Sequence, residues 1–141
     1  MVFLAKISDL GEVFEAAKVS GVWPAVLPPL DRDAWVSGWS RFLGNGAFLL
    51  VLRGGSGEIA GAIGGIVAPS VQTGRSTAYE VLWFGPMTLV DEFLRIAKDR
   101  GAEFAVLSIS TNNAERATRL YKYFVDRWGY MPFEQSYIGA I

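Results

Sequence analysis

Apolar residues recur at a helical interval in several stretches of this chain and run almost without interruption in others. Over residues 8–19 (SDLGEVFEAAKV), Leu10, Val13, Phe14 and Ala17 fall on one stripe, and Ser8 or Asp9 is placed to cap a helix. Residues 21–30 (GVWPAVLPPL) carry three prolines that forbid a regular helix, yet Trp23, Val26 and Leu27 predict an ordered, packed loop. Asp31 then caps a second predicted helix over 32–43, with Trp35, Trp39, Phe42 and Leu43 on one face and Gly44, Asn45 and Gly46 ending it.

From Ala47 the pattern changes. AFLLVLRG is a continuous β-prone run, and the GGSG turn after Arg53 leads into EIAGAIGGIVA over 58–68. A second turn over 69–74 precedes STAYEVLWF over 76–84, so three antiparallel strands follow one another. Gly61, Gly64 and Gly65 lack the spacing and the following helix of a dinucleotide-binding turn and read as close backbone packing or a bulge. Residues 87–100 are amphipathic, with Leu89, Val90, Phe93, Leu94 and Ala97 inward and Gly101 as a stop. EFAVLSIS (103–110) reads as a buried strand, and Thr111 and Asn112 can cap a helix over 114–128 bearing Ala117, Leu120, Tyr121 and Phe124. Gly129 ends it, and YMPFEQSYIGAI reads as one interrupted strand or two short ones. The order αα-βββ-α-β-α-β predicts one α/β (α+β) domain over 1–141, a mixed, mainly antiparallel sheet flanked by helices.

Composition narrows the chemistry. At 141 residues one core suffices, burying roughly 65–70% of the unfolded surface. Charged residues make up 19%, below the ~25% of an ordinary domain, so a protein partner covering apolar surface is one expectation. A formal charge of −1 offers no field to gather nucleic acid. The absence of cysteine and histidine removes thiolate nucleophiles, disulfides, the commonest metal ligands and the commonest general base, so no metal site is expected. Apolar runs fall short of the ~20 residues of a membrane span, and no basic-then-apolar leader opens the sequence, so neither a membrane nor a signal peptide is expected.

The segment NAERATRLYKYFVDRWGYMPFEQSYI resembles the end of the GNAT superfamily of acyl-CoA N-acyltransferases, with Leu120, Tyr121, Gly129 and Tyr130 in the places of its helix pair and of the glycine and aromatic that open its last strand. GGIVAPSVQTGRSTAYEVLWF is similar to the third and fourth strands of GNAT-like proteins of tailed bacteriophages. The resemblance spans essentially the whole chain and implies a GNAT-like fold. It departs at one point: the family's loop of Arg or Gln, Gly, X and Gly or Ala, whose amides hold the CoA pyrophosphate, is replaced by Gly85 and Pro86 alone, and no arginine lies between Arg75 and Arg95.

Two functional readings follow. The short connection favours a catalytically degenerate domain of phage type, a structural or virion-associated component that contacts other phage proteins or itself, needs no cofactor, and resides in a host cytoplasm or virion. The alternative is an active acetyl-CoA-dependent N-acetyltransferase. In it the resemblance implies Glu80 as base and Tyr121 as acid, with Val81, Leu82, Gly85, Met87, Thr88 and Asn112 holding acetyl-CoA. Read as residues alone, Glu80 also fits a solvent-facing strand position, Tyr121 a core edge and Asn112 a helix cap. Trp23, Trp35 and Trp39 fit a pocket, an interface or the core, and Arg116, Arg119, Lys122 and Arg127 fit a solvated face or a surface for an acidic partner.

Overall fold

The computed structural model describes residues 1–23, 29–109 and 114–132. Its elements are β1 (Val2–Leu4), a 3-10 turn (Ile7–Asp9), α1 (Leu10–Ser20), α2 (Arg32–Leu43), β2 (Ala47–Arg53), β3 (Ile59–Pro69), β4 (Ser76–Phe84), α3 (Thr88–Asp99), β5 (Phe104–Val106), α4 (Ala114–Lys122) and a π-helical turn (Tyr123–Arg127). The strands form one sheet in the order β1-β2-β3-β4-β5. The first three pairings are antiparallel and β4–β5 is parallel.

β2 shows why the sheet forms. Leu49 and Val51 enter the core under α1 and α2, whereas Phe48 and Leu50 enter the core under α3 and α4. A strand covered on both faces has no polar side, which accounts for the unbroken run AFLLV. Leu10, Val13 and Ala17 of α1 pack on one face of the sheet with Trp39 of α2. Leu89, Val90, Phe93 and Ala97 of α3 pack on the other, where Phe93 stacks on Phe48 with ring centroids 5.0 Å apart. Each fully buried side chain of this size contributes about 1.5–3 kcal/mol.

The expected order αα-βββ-α-β-α is present up to the last helix, and β1 precedes it. Three residues are too few for a period to show, and β1 is identified by its pairing with β2, Val2 opposite Leu52 and Leu4 opposite Leu50. Asp9 stands at the N-cap of α1, but its carboxylate accepts the Lys6 amide (2.8 Å) and so closes the preceding 3-10 turn. Asp31 caps α2 as expected, accepting from the Ala34 amide at 3.0 Å. Asp31→Ala should therefore cost about 1 kcal/mol, read as a lower urea midpoint at unchanged slope.

Two expected elements are shorter or altered. β5 covers Phe104–Val106 rather than 103–110, and the last helix leaves α-geometry at Lys122 for a π-turn. Residues 24–28 of the expected loop over 21–30, the caps Thr111 and Asn112, and residues 133–141 of the expected strand over 130–141 lie outside the described residues, and residues 130–132 are not in a strand.

Candidate functional site

The site is built on β4. Its register against β3 pairs Ile66 with Tyr79 and Gly65 with Glu80, then resumes with Gly64 opposite Leu82. Val81 is thus the extra residue of a β-bulge. Such an insertion reverses the in–out alternation: Ala78 and Trp83 enter the α3/α4 core, while Leu82 and Phe84 enter the α1/α2 core. Glu80 has the parity of Ala78 and therefore belongs to the α3/α4 side.

β5 parts from β4 at the bulge. Pairing ends at Tyr79–Val106, yet β4 continues to Phe84. The closed end of the pair is held by the Glu103 amide donating to the Ser76 carbonyl (2.8 Å) and by Arg75 Nε donating to Glu103 Oε2 (3.0 Å). Just beyond the point of parting, Glu80 Oε2 accepts the Ser108 amide at 2.9 Å. The Glu80 carboxylate thus bridges from β4 to the segment that follows β5.

Glu80 is 7% exposed. Burial pushes its carboxyl up to about 7, against the lowering effect of the Ser108 N–H. The solvent-facing reading of Glu80 is overturned: Glu80 continues the inward alternation of Ala78 on a face that α3 and α4 cover, and the bulge that follows flips the phase of Leu82–Phe84.

A cavity of about 280 Å³ lies further along the same side. Trp83, Gly85 and Met87 form one wall. Arg116, Arg119, Leu120 and Tyr123 of the last helix form the other. The β4–α3 connection is tight here because Gly85, at φ +97°, sits back to back with Gly61; a Cβ on Gly85 would come within 2.7 Å of Gly61 Cα. The guanidinium carbon of Arg116 lies 4.8 Å from the Trp83 ring centroid. Burial, and then the charge of Arg119, push the Arg116 pKa down.

The remaining expected site residues divide. Gly85 and Met87 line the cavity, whereas Thr88 opens α3 without lining it. Val81 is exposed at the bulge, and Leu82 is committed to the α1/α2 core. Tyr121 is 51% exposed and stands outside the cavity, and Tyr123, two positions on, lines it. Asn112 lies outside the described residues. Nothing in the local sequence marks Trp83 and Tyr123 as site residues, because their meeting in one cavity is set by tertiary packing. Trp23, Trp35 and Trp39 form a packed row with Phe14, with centroids 5.4 Å (Phe14–Trp23), 5.7 Å (Phe14–Trp35) and 5.9 Å (Trp35–Trp39) apart. That places them in the α1/α2 core.

Among the described residues, no helix is long and apolar enough to cross a membrane, and no group of three or more acidic side chains has the arrangement of a metal site. No protein-family model and no curated protein matches the sequence. Solved structures do match over its length. A ribosomal-protein-alanine N-acetyltransferase from Brucella melitensis biovar Abortus 2308 is 17% identical with a TM-score of 0.71, covering 100% of this chain and 97% of its own. An acetyltransferase from Trypanosoma brucei is 16% identical with a TM-score of 0.67, covering 100% and 99%. A protein from Clostridium acetobutylicum described as a predicted acetyltransferase, solved with acetyl-CoA, is 13% identical with a TM-score of 0.70, covering 99% and 95%. The mixed five-stranded sheet, the flanking helices and these likenesses together give the chain a GNAT-like fold.

Proposed function

We propose that this chain transfers an acyl group from an acyl-CoA, acetyl-CoA in the first instance, to an amine, with Glu80 as the base. The observation that carries this reading is the buried Glu80 carboxyl at the point where β4 and β5 part. A carboxyl titrating at about 7 holds and releases a proton at neutral pH, which a base must do, and an ordinary surface carboxylate is too acidic to do it well.

In the proposed step the amine nitrogen attacks the thioester carbon, a C–N bond forms and the C–S bond breaks. The amine's proton passes to Glu80. The sulfur leaves as a thiolate and becomes a thiol by taking a proton from solvent, and Glu80 returns its own proton to water. Val81, the bulge residue without a β3 partner in the register, is assigned the amide that donates to the thioester oxygen. Tyr121, outside the cavity, is given no step.

The acetyltransferase neighbours support the reading at the level of the fold. The scaffold reading, a virion-associated or self-associating component, draws no support from them. Calorimetric titration with acetyl-CoA should give a Kd on the order of micromolar, corresponding to about 8 kcal/mol. Absence of binding at millimolar acetyl-CoA ends the reading.

A further inference from the structure

A glutamate carboxyl turns readily about its last bond, because a torsion between sp³ and sp² carbons has broad, two-fold minima. What orients a buried one is what its two oxygens touch, and in Glu80 the two differ. Oε2 accepts the Ser108 amide at 2.9 Å, whereas Oε1 takes no hydrogen bond among the described residues. The donor is itself held. Leu107 and Ile109, on either side of Ser108, pack against the core under α3 and α4, and β5 anchors the segment by pairing Val106 with Tyr79, one residue before Glu80. The Ser108 side chain is exposed, so this residue meets Glu80 through its backbone.

We infer that Ser108 is the positioning residue of the base: its N–H ties Oε2, fixes the plane of the Glu80 carboxyl and leaves Oε1 to take the amine's proton. This rests on the reading of Glu80 as the base. As the C–N bond forms, the nitrogen's proton arrives on Oε1 and then passes to water, while Oε2 keeps the Ser108 N–H whether the carboxyl is charged or neutral. A base fixed in this way does not search among orientations in each turnover, because its ordering is completed when the chain folds. The same bond spans the two elements that part here, so the carboxyl and the segment after β5 keep their places together. Burial, and against it this N–H, are the influences on the carboxyl, with no charged side chain among them. Loss of the amide therefore has one sign, a rise in the pH at which Glu80 titrates.

The test is an NMR titration of the full chain, labelled at the backbone nitrogens and at the glutamate carboxyl carbons. The Ser108 amide proton should shift with pH at the midpoint of the Glu80 carboxyl carbon, and Glu80→Gln should abolish that shift. Ser108→Pro, its melting curve being recorded alongside, then removes the N–H. In this variant Glu80 should titrate about one pH unit higher, and kcat for acetyl transfer should fall about 10-fold while the KM for acetyl-CoA holds. The conservative variant Ser108→Ala, which retains the N–H, should recover both the Glu80 midpoint and kcat. A Ser108 amide that does not follow the Glu80 titration overturns the inference in the unaltered chain, even where the proline variant fails to fold. A folded proline variant with the kcat and pH profile of wild type overturns it as well, leaving Glu80 as a base that needs no such tie. Failure of the chain to bind acetyl-CoA removes the base reading and with it the role of Ser108, and the amide titration then records the hydrogen bond alone.

Discussion

Glu80→Gln makes the protein more stable at pH 8 and the proposed transfer slower. In the unfolded chain this carboxyl titrates near its ordinary 4.5, and in the folded chain it titrates at about 7. Between those values the unfolded chain has released its proton while the folded chain still holds it. Stability therefore falls as pH rises through that window, and the loss is complete above about 7. Across the window it amounts to about 3 kcal/mol. Glutamine stays neutral throughout and keeps an oxygen for the Ser108 amide. Urea unfolding of wild type and variant should coincide near pH 4 and separate by about 3 kcal/mol at pH 8, with the variant the more stable. A difference that does not change with pH would remove the buried carboxyl as its cause. Turnover moves the other way, falling about 10²–10⁴-fold. In the wild type, turnover should rise with pH to a plateau above about 7, where Glu80 has lost its proton. A residue that merely filled space would not combine a gain in stability with a loss in rate.

Gly65→Ala should be the most damaging single-methyl change in the sheet. A Cβ built on Gly65 lands on the Tyr79 carbonyl oxygen and reaches within 3.0 Å of the Phe93 ring. That carbonyl belongs to β4 immediately before the bulge, so it cannot swing away without undoing the register that places Glu80 opposite Gly65. The added methyl therefore stores its cost in the backbone, at the upper end of overpacking penalties, about 3 kcal/mol or more. Denaturant unfolding measures it directly. A variant within about 0.5 kcal/mol of wild type would show that β4 can shift, and that the bulge is less rigid than its contacts imply.

Much of the fold is legible because its elements are long enough to repeat. α3 shows three turns of apolar spacing, β4 is bounded by its turn and by Gly85–Pro86, and Asp31 precedes an apolar stripe. What escapes the sequence is short or depends on distant partners. β1 and β5 have three residues each, and they exist as strands because Leu50–Leu52 and Thr77–Tyr79 accept them. The glycines of β3 announce close packing, but the burial of Glu80 depends on the helices that cover its face of the sheet, and the core that Leu82, Trp83 and Phe84 enter depends on a one-residue bulge without a pattern of its own. Arg116 and Arg119 are visible as a basic face of the last helix. Their proximity to Trp83 requires α4 to pack against the end of β4, which local spacing does not encode.

The bulge at Val81 also limits how this protein can change its length. It divides β4 into two half-strands of opposite phase, so that Ala78 and Trp83, five positions apart, reach the same core. Adding or removing one residue between them would exchange inside for outside in one half, sending Trp83 toward α1 or Ala78 away from α3. Single-residue insertions and deletions within β4 therefore act as frameshifts of the fold, and length variation belongs in the turn over residues 70–75, where Val71 and its neighbours stand in solvent.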